Sequence, residues 1–530
     1  MDREINFDSI RALEKQIQDH EKVIVQLKRT RNSLLNVSTL LPPEILGSIF
    51  LWNVIPDGDF GGVLKGSYNF LLVCHHWFEV ASCTPKLWCF WGNTVRDWSH
   101  RYARYRTAPL DLVLSTEEDG NHKLDDSLYD ALQDRAARDT IRRVHLSGFD
   151  ARLLNSVIFS VVAEGEGTRL NSVESFILEN GGVLGVDVDV SGFFSRYRLP
   201  KLQHLRLSGS IAFPWDLPES QTTSLTTLSL TISDQSPVPT LSQLLSILSS
   251  NPNLQHLVLY HGSVPLADGD RSSSQTQLRH LKSFCLASDF RRVFGLLKRL
   301  ELPEKMDDLN LNLPNTSPSD LSQTLGPYIG DRARRRGGSP DGLGLLVYSN
   351  PSNFYIRVGD APKGNDPTRV DSVKWFITAY GFTNVELGED TEKLWFDIIG
   401  QIPQEEVTSL TTNLSLLHSV ELCIQMCNLT CLRLSAVDLS TWFIEPDIHE
   451  PHTFKDLLPG LDSISITNFI LGGGDWRPLT NFLSRRAAVG NPISLLRLTG
   501  RPYMSKGVVK KIKHVVKVFK DEDRDCDEDD

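Results

Sequence analysis

The sequence predicts a multidomain α/β chain, with a helical N-terminal part followed by a solenoid of parallel strands. Three observations carry this. A heptad spacing of apolar residues opens the chain, a short segment unusually dense in apolar residues follows, and a six-residue apolar pattern then recurs at intervals of a few tens of residues. At 530 residues the chain is too long for one compact core.

Taken in order, residues 1–38 are predicted as an amphipathic heptad helix. Ile10, Leu13, Ile17, Ile24, Leu27 and Leu34 fall at spacings of three and four, with His20 and Arg31 in the remaining core slots. The seam either packs back on the next domain or supports weak self-association, which the two polar slots weaken. The N-terminus is charged and lacks the apolar core of a secretory signal, so an intracellular site is expected, cytoplasmic and/or nuclear. There the eight cysteines are expected to be reduced rather than paired. No run approaches the roughly 18–20 apolar residues of a membrane span. A formal charge of −11 argues against a general nucleic-acid binder.

Residues 39–100 form the second unit. Between Leu41 and Phe90, 27 of 50 residues are hydrophobic, and five of the ten tryptophans lie between Trp52 and Trp98. So small a unit leaves much of its surface exposed, and this excess needs a cover, either a neighbouring domain or a partner. In "LPPEIL", Pro43 suits a first helical position and Glu44 the positive helix end, with Ile45, Leu46, Ile49 and Phe50 on one apolar face. A second helix is predicted over Asn69–Ser82, with Leu72, Val73, Trp77 and Val80 as its stripe and His75, His76 and Glu79 off it. "IPDGDFGGVLKGSY" between them reads as a loop.

The order "LPPEILGSIFLW", loop, "FLLVCHHWFEVASCTPKLW" resembles the F-box, and the surrounding arrangement is similar to the large fungal class of F-box proteins. The resemblance implies a docking surface for the Skp adaptor of a Skp/cullin/F-box ubiquitin ligase. Its residues here are Leu41, Pro42, Pro43, Glu44, Ile45, Leu46, Ile49, Phe50, Leu72, Val73, Cys74, Trp77, Pro85, Leu87 and Trp88, some of them core of the box rather than contacts. Apolar helical anchors and tryptophans also suit groove binding on general grounds.

Residues 101–505 are predicted as a leucine-rich-repeat-like solenoid. The pattern apolar, two variable, apolar, one variable, apolar starts at Ile141, Val173, Leu202, Leu225, Leu254, Leu281 and Met306, and again at Leu429, Leu461 and Ile493. Helical stretches such as "LSQLLSILSSNPN" fall between, giving stacked parallel strands. Variable positions such as Gln203, His204, Arg206, Gln255, His256 and Val258 point away from the core, towards a recognition surface or simply towards water. The beat is lost over about 314–428, where "GLLVYSN", "NFYIRVGD", "VKWFITAY" and "KLWFDIIG" read as strands. Degenerate repeats explain this most simply, and an inserted projecting hairpin is the alternative. Residues 506–530 are read as a capping helix, carrying Val508, Val509, Ile512, Val515, Val516 and Phe519, with an acidic disordered tail.

No catalytic constellation is found, and neither an enzyme nor a cofactor is expected. "RARRRGG" from Arg332 reads as a solvated loop, and "GGGD" from Gly472 as a turn. Cys423, Cys427 and Cys431 read as structural, because the last two bracket a strand start and would not converge on a metal. The chain is therefore expected to be a substrate-recruiting adaptor, with the F-box on the Skp adaptor and the repeats holding a target protein. The alternative is a repeat scaffold with a degenerate F-box and no ligase role.

Overall fold

The computed structural model describes residues 7–35, 41–54, 68–88, 90–91, 109–115, 139–148, 154–155, 172–180, 188–191, 194, 199–216, 224–265, 275–314, 316–317, 320–336, 343–349, 353–360, 375–382, 397–413, 425–435, 458–467, 476–500 and 504–521. The chain divides into two compact units, Met1–Ser224 and Leu225–Asp530.

The first unit opens with α1 (Phe7–Leu35). Its seam residues Ile10, Leu13, Ile17, Ile24 and Leu27 are all exposed, so the seam is not packed back onto the described residues, and the side chain of Leu34 lies outside them. With that alternative removed, weak self-association remains as the expectation for this helix. Sedimentation equilibrium should show an average mass that rises with concentration in the intact chain and stays monomeric in the Leu13→Glu, Leu27→Glu variant; a wild-type mass flat across the range would end the idea.

After the helical module described below come β1 (Phe90–Trp91), β2 (Leu110–Ser115), β3 (Ile141–Ser147), β4 (Ser175–Glu179) and β6 (His204–Gly209), each parallel to the next. A short parallel pair, β5 (Val188–Asp189) and β7 (Ile211–Ala212), accompanies them. Between β2 and β3 sits a buried ion pair. The Asp111 carboxylate, 1 % exposed, accepts from Arg142 Nε at 3.1 Å and Nη2 at 2.7 Å.

The second unit carries β8 (Thr227–Ile232), β9 (His256–His261), β11 (Ser283–Ala287) and β13 (Asp308–Asn312), again parallel in series, with β10 (Thr276–Gln277) and β12 (Leu300–Glu301) as a separate short pair. It resumes with β17 (Val407–Thr412), β18 (Cys431–Ser435), β19 (Ser463–Thr467), β20 (Leu495–Thr499) and β21 (Val518–Asp521), also parallel.

The six-residue pattern explains both parallel series. Every apolar position of its ten copies is buried except Val144, which is half-buried. Because strand side chains alternate, the last two apolar positions of each copy face the core, and parallel register stacks them on their equivalents. Leu228, Leu257, Phe284 and Leu309 align, as do Leu410, Leu432, Ile464 and Leu496. The first apolar residue closes a turn before the strand: Leu254 N–H donates to Asn251 O, Leu281 to Leu278 O and Leu461 to Leu458 O. The next two amides then share one carbonyl of the preceding copy, as when Gln255 and His256 both donate to Thr226 O at 2.8 and 3.0 Å. Thus each copy is aligned by the one before it.

Helices cover the core side. In α4 (Leu241–Ser249) the Thr240 hydroxyl accepts from Gln243 N–H while the Gln243 side chain accepts from Thr240 N–H, a reciprocal cap. Asp289 caps α5 (Phe290–Leu297) through Arg292 N–H. Arg486 of α7 (Arg477–Ala488) is buried and donates at 2.9 Å to the carbonyls of both Leu458 and Leu461, tying the turn before β19.

Several expectations are corrected. Within 314–428 the outcome is mixed: β17 continues the parallel series, as a degenerate repeat strand would, whereas the three strands before it are neither parallel repeats nor a projecting hairpin. The strands β14 (Leu343–Ser349), β15 (Asn353–Asp360) and β16 (Trp375–Phe382) lie within the sheet, with β16 parallel to β13 and β14 parallel to β17. Between them β15 runs antiparallel to both neighbours, so the local strand order is reversed. In "KLWFDIIG" the described part, Asp397–Ile399, is helical rather than extended. The basic cluster is not a loop: Arg332 to Arg336 complete α6 (Gly326–Arg336), where Ile329 and Ala333 are buried and Arg332 donates to Pro303 O at 2.7 Å. Gly330 lets α6 come close to the backbone at Gln401, since a Cβ there would lie 2.1 Å from Gln401 O. At the C-terminus α8 (Lys506–Val515) stops before Val516, and Phe519 belongs to β21, which adds a strand rather than extending the helix. The acidic tail and "GGGD" lie outside the described residues.

Candidate docking face of the helical module

The module begins with α2 (Pro43–Val54), whose first amides, of Ile45 and Leu46, donate to Pro42 O at 3.0 and 3.1 Å. Pro43 has no amide hydrogen to lose at this position, and Glu44 sits in the first turn, where its charge complements the helix end. The second predicted helix is broken. Tyr68–Leu72 forms a 3₁₀ helix, Cys74 adopts extended backbone, and α3 runs only over His75–Ser82. A further 3₁₀ helix, Pro85–Trp88, closes the unit. Of the loop expected over 55–68, residues 55–67 lie outside the described residues and Tyr68 opens the 3₁₀ helix instead.

These elements enclose a small core of Leu46, Phe50, Phe70, Val80, Ala81 and Leu87, with Trp77 and Trp88 packed against it. Phe50 stacks on Phe70 at 4.6 Å between ring centroids and meets Trp77 at 5.1 Å. The Trp88 indole donates to Ala81 O at 2.8 Å, and the Thr84 hydroxyl to Val80 O at 2.7 Å, fixing the final turn against α3. His75 Nδ1 lies 3.2 Å from the Glu79 carboxylate, one helical turn away.

The two sides of α2 are therefore distinct. Leu46 and Phe50, together with Leu87, are fully interior and hold the module together, so as partner contacts they are corrected. Trp77 and Trp88 are partly buried against the core, and Cys74 is half-buried. Outside lie Leu41, Pro42, Pro43, Glu44, Ile45, Ile49, Leu72, Val73 and Pro85. Ile45 is 50 % exposed, Leu72 85 % and Val73 51 %. Trp52, 77 % exposed, and Phe78 were not among the sequence-derived positions. Trp52 follows Ile45 by seven residues and Ile49 by three, a spacing that alone would have placed it on the same face. These exposed side chains are large and apolar, an expensive way to meet water unless they are covered in use.

On the repeat sheets, the predicted outward positions oppose the leucines. Gln203, Arg206 and His256 are exposed, and His204, Gln255 and Val258 half-exposed. In the first unit, Glu179 lies between Arg206 Nε at 3.2 Å and His145 Nε2 at 3.8 Å. His145, and after it Arg206, hold the Glu179 carboxyl below its usual range against the opposing effect of burial. Cys427 is exposed and Cys431 half-buried, both free; Cys423 lies outside the described residues. Among the described residues, no group of three or more His, Cys, Asp or Glu is placed to hold a metal, and no helix is long and apolar enough to cross a membrane.

No family model matches the chain, and no curated protein does. Among solved structures, the chain is similar to a leucine-rich-repeat protein of Leptospira interrogans, at 12% identity and a TM-score of 0.28, over 81% of this chain and 88% of that one. A second similarity is to the TLR13–ssRNA13 complex, at 11% identity and a TM-score of 0.23, over 77% of this chain and 52% of that one. Both likenesses are too distant to argue from. The repeat fold stands on its own evidence, the parallel register and the buried six-residue pattern.

Proposed function

We propose that the chain is a substrate-recruiting adaptor, with its F-box-like module docking on the Skp adaptor of a cullin-based ubiquitin ligase and its repeat sheet binding a target protein. The observation that carries this reading is the division of α2. Its inward residues build a closed aromatic core, while Leu41, Ile45, Ile49 and Trp52 remain exposed outside it. A helix presenting aliphatic anchors at helical spacing fits an apolar groove. An adaptor of this kind forms no bond itself; it raises the local concentration of target near the ubiquitin-loaded enzyme.

Purified full chain mixed with the Skp adaptor should co-elute from a sizing column as one complex. Ile45→Asp with Leu72→Asp should abolish it while leaving the melting of the repeat units unchanged, since both residues are exposed. A wild-type chain that never captures the adaptor would sink the ligase reading and leave the repeat scaffold.

A further inference from the structure

One row of the second unit's sheet is strongly basic. Reading across the register, Arg357 of β15, Arg433 of β18, Arg497 of β20 and Lys520 of β21 fall at equivalent positions, with Thr411 beside Arg433 and Ser465 between Arg433 and Arg497. Leu432 and Leu434 point into the core, so by strand alternation Arg433 belongs to the opposite face. No acidic residue occupies this row from β14 to β21.

Arg433 is unusual within it. Its side chain is buried, with the residue 7 % exposed, yet among the described residues Nε and Nη2 have no hydrogen-bond partner. These two N–H groups lie on one edge of the guanidinium and match two oxygens of a single anion. The same edge is used elsewhere in the chain, where Arg142 Nε and Nη2 hold the two oxygens of Asp111. Arg433 thus presents this fork without its anion. A buried cation with unmet donors is costly, and a bound oxyanion removes that cost. The rows on either side, Cys431, Ser463 and Leu495 and then Ser435, Thr467 and Thr499, are half-exposed.

We infer that the Arg433 edge, supported by the charges of Arg497 and Lys520, is an oxyanion-binding site on the repeat sheet that takes a phosphoryl group on a bound polypeptide. A carboxylate offers the same two-oxygen chemistry, but the further positive charges of Arg497 and Lys520 in the same row favour the dianion. The site does not depend on the Skp-adaptor reading.

The test uses the full chain, with thermal unfolding followed in sodium phosphate, sodium acetate and sodium chloride at matched ionic strength. Phosphate strengthens burial in any protein, so the readout is the wild type minus Arg433→Met. The wild type should gain a saturable stabilisation from phosphate that Arg433→Met lacks. In chloride alone, Arg433→Met should melt at or above the wild-type temperature, because a buried unpaired charge is gone. Arg433→Lys keeps the charge without the fork and should weaken phosphate binding about tenfold or more. An acetate shift equal to that of phosphate, also lost in Arg433→Met, supports the site with a carboxylate as its occupant. Equal phosphate shifts in wild type, Arg433→Met and Arg433→Lys, or a wild-type response no larger than with chloride, would overturn it.

Discussion

Phe50→Ala is expected to destabilise the helical module by about 3–5 kcal/mol, the usual cost of deleting a fully buried aromatic side chain. Phe50 is 0 % exposed, stacks on Phe70 and meets Trp77, so its removal opens a cavity that neighbouring rings cannot refill without leaving their own contacts. So small a unit has little stability in reserve, and the loss is a large part of it. Ile45→Asp, five residues earlier on the exposed side, should change the same melting transition by no more than about 0.5 kcal/mol. Denaturant titration followed by tryptophan fluorescence separates the two, since Trp77 and Trp88 both pack against this core. Equal effects of the two substitutions would contradict the assignment of inner and outer sides.

Asp111→Ala is expected to cost the first unit about 3 kcal/mol, at the lower end for breaking a buried ion pair. The carboxylate is 1 % exposed and joined to Arg142 by two bonds, so its loss strands a cation between β2 and β3. Arg142 is 31 % exposed, and water reaching it limits the loss. A paired change, Asp111→Leu with Arg142→Met, should recover most of the stability, because an apolar pair removes the desolvation cost along with the attraction. Chemical unfolding of the single and double variants gives the comparison, and a double variant no better than Asp111→Ala would show that the pair itself stabilises the strands.

Much of the repeat sheet was legible because its code is local. In "LQHLVL", Leu254 closes the turn while Leu257 and Leu259 face the core, and the spacing states both facts. Strand direction is not stated this way. "NFYIRVGD" reads as a strand, but its antiparallel pairing depends on which neighbours flank it, and alternation is the same in either direction. The ends of helices were also poorly legible. "VVKVF" suits a final helical turn as well as a strand, and pairing with β20 decides it. Around "RARRRGG" the flanking glycines suggested a loop, yet Leu325, Ile329 and Ala333 recur at i+4 and are buried; that spacing was the overlooked signal. For the docking face, the motif located the helix but not its sides. Leu46 and Ile45 are adjacent and equally apolar, and only the position of Phe70 and Trp77 against α2 separates them.

The most direct test of the docking proposal is position-specific photocrosslinking. A photoreactive phenylalanine analogue placed singly at Trp52, Leu72 or Phe70 in the full chain is irradiated with the Skp adaptor. Crosslinks to the adaptor from positions 52 and 72, and none from the buried position 70, are the expected result. No crosslink from either exposed position, or an equal yield from position 70, would contradict the proposal that the outer side of this module is the surface that docks.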